Sequence, residues 1–284
     1  MLKQRVITAL ILLAVLLPAL FADAPEPFLA LTLIFIAAAA WEWARLNGLT
    51  GAAALGTGLL CSLLCVGLWA LGWIEQPLPR VWLIGGAAWV LLSAWALRAG
   101  VAAWSLHGKG LRWLAGLAAL CLTWLAVAQA KLIGVNFLIS VLTLVWMADI
   151  AAYFAGHAWG SRLIARKLAA SISPGKSWEG VIGGAVGVLL LALAWVYADS
   201  ALGATVPSLY THLAASGWPM LLLACLFLSG MSVVGDLMES LVKRSAGVKD
   251  SSGLLPGHGG VLDRVDALLP ALPLAMMLQA WVGA

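Results

Sequence analysis

The residues with the widest chemical range are gathered in one run, Ser240 to Asp266, which reads SLVKRSAGVKDSSGLLPGHGGVLDRVD. It separates two long apolar stretches, and nothing in it helps a helix stay in lipid. Asp263 and Asp266 stand at i and i+3 at the start of the last apolar helix, so they are expected to point the same way. Asp236 lies in the C-terminal part of the preceding helix, with Glu239, Ser240 and Lys243 following at i+3, i+4 and i+7 on one face. A carboxylate inside an apolar helix costs about 2.5 to 3.5 kcal/mol on insertion scales, so it is expected to face a cavity, a partner or a metal. One reading pairs Asp236 with Lys243 or Arg244. The other, favoured by the nearby acids, has Asp236, Asp263 and Asp266 hold a hard divalent cation, since Mg²⁺ takes oxygen ligands and shares them with substrate phosphates. Asp250 is a further catalytic candidate, or simply the ion-pair partner of Lys249, which it follows directly.

Lys243, Arg244, Lys249 and Arg264 surround these acids, and Gly259 and Gly260 end the connecting loop. Charge-assisted donors beside backbone N–H groups that can approach closely make the composition of a phosphate site. The loop carries neither a Walker pattern nor G-x-G-x-x-G, so its glycines alone say little, and basic residues beside a membrane also attract anionic lipid. His258 is a candidate general base. A phosphate nucleophile is already anionic and needs little proton removal, so holding the loop or contacting phosphate is the preferred account of it.

A second polar stretch, residues 153–177, ends in Ser173-Pro174-Gly175-Lys176-Ser177. Ser177 fits the N-cap of the next helix, a purely structural role. A cation beside a helix N-terminus opposes the dipole, which makes Lys176 better suited to holding a phosphate that the same N-terminus attracts.

The elements that must position these residues are membrane helices. The chain is 63% hydrophobic and 10% charged, with a mean hydropathy of +1.03, whereas soluble domains carry roughly a quarter charged residues. Its apolar segments have the length of spanning helices and lack the alternation of barrel strands. An all-α polytopic fold of nine helices follows: Val6 to Phe21, Pro27 to Arg45, Gly51 to Trp73, Arg80 to Arg98, Leu111 to Gln129, Ile133 to Ala152, Trp178 to Ala198, Trp218 to Leu241 and Leu262 to Gly283. The first resembles a signal peptide, with Ala22-Asp23-Ala24 as a cleavage-like site, but is expected to be retained because its apolar run is long. With the N-terminus in the cytoplasm and the C-terminus outside, 14 of the 16 Lys and Arg residues fall on the inner side, leaving Arg80 and Lys131 outside. Lys3 and Arg5 belong to the inner set. Both polar stretches, 153–177 and 240–266, are then cytoplasmic. Residues 1–130 are expected to be a membrane scaffold giving lipid access, and residues 131–284 the catalytic region. Nine tryptophans near helix ends, Trp82 and Trp104 among them, are expected in an interfacial belt. Cys61, Cys65, Cys121 and Cys225 lack disulfide or zinc spacing and are read as small buried hydrophobes.

The pattern S-x-x-K-R-x4-K-D-x-S-x-x-L-P-x-H-G-G-V-x-D-R-V-D, from Ser240 to Asp266, closely resembles the signature of the phosphatidate cytidylyltransferases, also called CDP-diacylglycerol synthases. Asp149, Ala152-Tyr153-Phe154-Ala155-Gly156 and Ser173-Pro174-x-Lys176-Ser177-Trp178-Glu179-Gly180 are similar to that family's second motif, so the resemblance covers the C-terminal half. The first four helices add only hydrophobicity to it. The resemblance implies CTP and phosphatidate as substrates, CDP-diacylglycerol and pyrophosphate as products, and Mg²⁺ held by Asp236, Asp263 and Asp266, with a monovalent cation such as K⁺ nearby. It further implies membrane lipids as surroundings, a homodimer, no nucleic-acid partner, and a bacterial inner membrane with the site facing the cytoplasm. Two rivals remain at this point. A CTP-dependent lipid-alcohol kinase would use the same groups with a hydroxyl nucleophile. A secondary transporter would use Asp149 and Asp236 as intramembrane ion sites, and no internal repeat supports it.

Overall fold

The computed structural model describes residues 2–164 and 166–283, without the side chains of residues 2, 3 and 5, so Lys3 and Arg5 and their topological role lie outside the described side chains. Among the described residues there are eleven helices and no strand: α1 (Leu2–Phe21), α2 (Glu26–Leu46), α3 (Gly51–Ala70), α4 (Pro79–Leu106), α5 (Lys109–Ile133), α6 (Val135–Trp159), α7 (Trp178–Leu202), α8 (Leu209–Ala215), α9 (Trp218–Ser245), α10 (Leu262–Val265) and α11 (Leu268–Val282). Eight spans, with α10 and α11 counted as one from Leu262 to Val282, are long and apolar enough to cross a membrane, and the apolar part of α1, Val6–Phe21, is shorter. The chain is an all-α polytopic membrane protein.

Three boundaries differ from expectation, each for a local reason. α6 runs through Tyr153, Gly156 and His157 to Trp159 before ending at Gly160, so the first seven residues of the first polar stretch are helical. α4 continues to Leu106 through a kink at Gly100, whose φ of 81° only glycine adopts easily. The expected outer loop before α9 contains α8, capped by Ser208, whose hydroxyl accepts from Thr211 N at 3.2 Å.

The break between α10 and α11 comes from proline. Pro270 has no N–H to give to the Asp266 carbonyl, and Pro273 likewise frees the carbonyl of Leu269. Thr123 on α5 supplies the missing donor, its hydroxyl lying 3.1 Å from Leu269 O. The break follows Asp266, so Asp263 lies within α10 and Asp266 is its C-cap, one helical turn on.

Small residues bring α6 and α7 together. A Cβ on Gly184 would sit 2.7 Å from the Ala148 carbonyl, and Gly180, Gly183 and Gly187 face Ala152, Ala155 and Ala151. In lipid such a seam gains its energy from close backbone packing. Its consequence is positional, since it sets Asp149 on α6 beside the start of α7 and Lys176.

At the opposite end of the bundle, buried Lys131 donates to Leu20 O at 2.7 Å and Ala22 O at 3.1 Å, capping α1 rather than standing in an outer loop. Trp82 and Trp104 are core residues, 1% and 8% exposed, and not belt residues. Trp82 is drawn inward by a hydrogen bond from its indole N–H to Gln129 Oε1 at 3.2 Å. Three of the cysteines, scattered in sequence, meet across α3 and α5: Cys61, Cys65 and Cys121 place their sulfurs within 4.8 Å of one another.

Candidate active site

Start from the end of α9. Apolar packing carries this helix as far as Leu241 and Val242, both buried, while Asp236, Ser240 and Lys243 turn to neighbouring segments. Asp236 finds its countercharge in neither Lys243 nor Arg244. Lys176 Nζ stands 2.5 Å from Asp236 Oδ2, joining the end of the first polar stretch to α9. Ser240 donates to the other oxygen at 3.3 Å. Ser177, next to Lys176, caps α7 by accepting from Gly180 N at 3.2 Å, and Glu179 fixes the approach to it by accepting from Leu163 N and Ile164 N at 3.0 and 2.8 Å. Lys176 is thus held at a capped helix start, on the wall of a 460 Å³ cavity that Asp149, Tyr153, His157 and Ser177 also line.

Lys243 has a different office. It lies 2.5 Å from Glu239 and 2.6 Å from Asp263, both largely buried. Asp263 also accepts from Gly260 N at 2.7 Å and from the Ser251 hydroxyl and amide at 2.9 and 3.0 Å. Its oxygens are committed to the loop, so a metal-ligand role for Asp263 needs one of these bonds exchanged. Asp266 accepts only the adjacent Ala267 N, at 2.8 Å.

Asp149, Asp236 and Asp266 are near enough to repel one another electrostatically. These three carboxylates, with Lys176, Lys243 and Arg264 within electrostatic reach, offer the hard oxygen ligands that a divalent cation takes. The donor set therefore fits a divalent ion, with Asp149 joining the expected acids. Asp236, Asp263 and Asp266 do not form a closed cage: among the described residues the group of three ligating side chains within 4.8 Å is the cysteine one.

The remaining expected residues lie along the loop. Lys249 and Asp250 are exposed and make no ion pair with one another among the described residues. Arg244 reaches Ile172 O at 3.5 Å, tying α9 to the other polar stretch. Arg264 donates to His258 O at 2.9 Å, so it is the backbone of His258 that holds the loop, while its ring Nδ1 is buried without a partner. Gly259 has φ 81°, and a Cβ on Gly260 would collide with the Ser251 hydroxyl and a carboxylate oxygen of Glu42.

That last residue is the one that sequence reasoning missed. Glu42, on α2, is 0% exposed. It accepts from Leu262 N at 2.6 Å, Val261 N at 3.0 Å, Ser251 Oγ at 3.2 Å and Ser252 Oγ at 2.5 Å. Four donors from the signature loop thus converge on one carboxylate from the N-terminal half. An anion at the start of α10 also satisfies amides that a helix leaves free. The signal was available, because a lone acid between Trp41 and Trp43 in an apolar helix carries the same cost that singled out Asp236. Thr8 on α1 adds a bond to Pro256 O at 3.0 Å. The first helices hold the loop and do more than add hydrophobicity.

The sequence matches the cytidylyltransferase family over residues 3–282. The chain belongs to this family. It is 38% identical to a phosphatidate cytidylyltransferase of Pseudomonas aeruginosa over 288 aligned positions, covering 100% of both chains. It is 36% identical to a phosphatidate cytidylyltransferase of Haemophilus influenzae, covering 96% of each. A Brucella suis protein of the same name is 41% identical over 70% of this chain and 64% of its own. The acids, lysines and loop amides gathered at one end of the bundle have chemistry suited to nucleotidyl transfer.

Proposed function

We propose that the chain transfers the cytidylyl group of CTP to phosphatidate, giving CDP-diacylglycerol and pyrophosphate, at the cytoplasmic face of a bacterial inner membrane. The observation that carries this reading is the Lys176–Asp236 pair, which brings the end of the first polar stretch against α9 shortly before the second begins, and full-length relatives bearing that activity's name support it. In the reaction a phosphate oxygen of the lipid attacks the α-phosphorus of CTP, a P–O bond forms, and the bond to the β-phosphate oxygen breaks as pyrophosphate leaves. The nucleophile is anionic from the outset, so positioning and charge compensation are the main tasks. Lys176, Lys243, Arg244, Lys249 and Arg264 offset charge on substrate and leaving group, while the amides at Gly259 and Gly260 and the capped start of α7 at Ser177 favour anions. Asp236 and Asp266, with Asp149 and Asp263, would hold Mg²⁺, and a monovalent cation such as K⁺ would lie nearby. Bound Mg²⁺ supplies charge neutralisation at the phosphate oxygens.

Residues 131–284 supply most of these groups, and residues 1–130 contribute Glu42 as well as a scaffold. Assembly as a homodimer is proposed on family resemblance. The deciding experiment incubates purified protein with phosphatidate and CTP labelled separately at the α and γ positions. Label from the α position in lipid, with γ label in pyrophosphate, is expected. Label from the γ position in lipid means a lipid kinase and overturns the reading.

A further inference from the structure

α4 and α5 follow one another in the chain and touch where Trp82 bonds Gln129 and Gly85 meets Leu122, but each packs mainly on other helices. α4 packs on α9 and α11, and α5 packs on α2 and α11. Between them lies a cleft of about 360 Å³ backed by α9. Its walls are apolar apart from a few side chains, and four of these share an unusual property. Trp89 Nε1, Trp104 Nε1, Arg112 Nε and Glu239 Oε1 are all buried without a hydrogen-bond partner in the protein, and all four residues line this one cleft. Buried polar atoms are nearly always satisfied, so four exceptions around one space point to an occupant with polar groups of its own.

The chemistry of that occupant follows from the arrangement. Three of the four atoms are donors, and Arg112, only 9% exposed, has no ion-pair partner among the described residues. A buried guanidinium without a counterion calls for an anion, and phosphate suits its fork. Arg112 is in the first turn of α5 and Trp104 in the last turn of α4, at the end of the bundle where Glu42 meets the loop. Away from that end the cleft is lined by Ala118 and Leu122. The ten residues from Arg112 to Leu122 span about 15 Å of helix, the reach of much of an acyl chain. Glu239 borders the cleft and also pairs with Lys243, so the occupant's head lies beside the candidate active site.

We infer that the α4–α5 cleft is the binding site for the phosphate-headed diacyl lipid, with Arg112 and the Trp104 indole on the phosphate and an acyl chain lying between the two helices. This rests on the reading that phosphatidate is the acceptor substrate. It assigns Arg112 to lipid recognition at the edge of the candidate active site, where the lipid phosphate meets the nucleotide beside Glu239 and Lys243.

The test uses the full chain in detergent, with dipalmitoyl phosphatidate binding followed by native mass spectrometry. Wild type is expected to retain one phosphatidate. Arg112→Ala is expected to weaken binding about tenfold, with Arg112→Lys intermediate. Ala118→Phe, which narrows the cleft away from the arginine, is expected to weaken dipalmitoyl phosphatidate about tenfold while leaving dihexanoyl phosphatidate within about twofold. In turnover assays both variants raise the KM for phosphatidate and leave the KM for CTP within about twofold, a split that general misfolding does not give. Equal retention of dipalmitoylglycerol, which has the same chains and no phosphate, overturns the phosphate assignment. Competition by glycerol 3-phosphate as strong as that by phosphatidate overturns the chain assignment. Unchanged phosphatidate binding in both Arg112→Ala and Ala118→Phe overturns the site altogether. Wild type that binds phosphatidate with these dependences, yet releases no pyrophosphate from CTP, leaves the cleft standing and removes the proposed reaction instead.

Discussion

Lys176 Nζ lies 2.5 Å from Asp236 Oδ2, so the loop before α7 and the end of α9 are joined by one ion pair. The two side chains keep 23% and 28% of their surface, an exposure at which such a pair adds little stability. Its value is in placement. Asp236→Asn is expected to reduce CTP-dependent pyrophosphate release on the order of a hundredfold or more, with helix content by circular dichroism unchanged. Lys176→Ala is expected to raise the KM for CTP about tenfold, because it removes a charge-assisted contact. Activity within twofold of wild type in Asp236→Asn would contradict the assignment.

Divalent-ion dependence follows from the acids. Stripping the protein with EDTA is expected to abolish turnover, and Mg²⁺ to restore it better than Ca²⁺, which accepts looser and larger coordination. Full activity after rigorous chelation would remove the metal from the scheme.

His258 gives a prediction of small effect. A general base contributes about 10²- to 10⁴-fold, whereas a residue whose backbone holds the loop leaves most activity after side-chain loss. His258→Ala is therefore expected to stay within about tenfold of wild-type kcat. A larger fall with an unchanged KM for both substrates would restore the base assignment.

Glu42→Ala strands four donors around a cavity and is expected to destabilise the protein by about 3 to 5 kcal/mol, read by denaturant unfolding. Glu42→Gln preserves shape and acceptor oxygen, so it is expected to lose less stability and more kcat. Gly260→Ala forces a methyl against Glu42 and Ser251 and is expected to cost about 1 to 3 kcal/mol with a fall in turnover. Unaltered stability in Glu42→Ala would show that the loop does not depend on this anchor.

Much of this architecture is legible in the sequence because lipid imposes one strict rule, that backbone polar groups pair within a helix. Length and apolarity therefore locate α2 through α7, α9 and α11, and Gly or Pro marks most ends. Asp236 and Lys176 are visible as costly or misplaced charges. Their mutual pairing is not, because it depends on the glycine and alanine seam between α6 and α7. Glu42 and Arg112 escape notice for the same reason: each sits in a helix whose local sequence contains nothing for it to bond. Asp263 shows another gap, since its place at the helix start is legible but its bonds to Ser251 and Gly260 depend on how the loop folds back.

The anchor at Glu42 has a temporal side. Its partners begin 209 residues later in the chain and end 220 residues later. At synthesis rates of about 5 to 20 residues per second, α2 waits on the order of 10 to 40 s for them. During that interval the carboxylate is in the membrane without its donors. Assembly is thus ordered by synthesis: the first helices are a socket that stays empty until the signature loop is made, and a chain interrupted before Ser251 leaves the Glu42 carboxylate without any of its four donors.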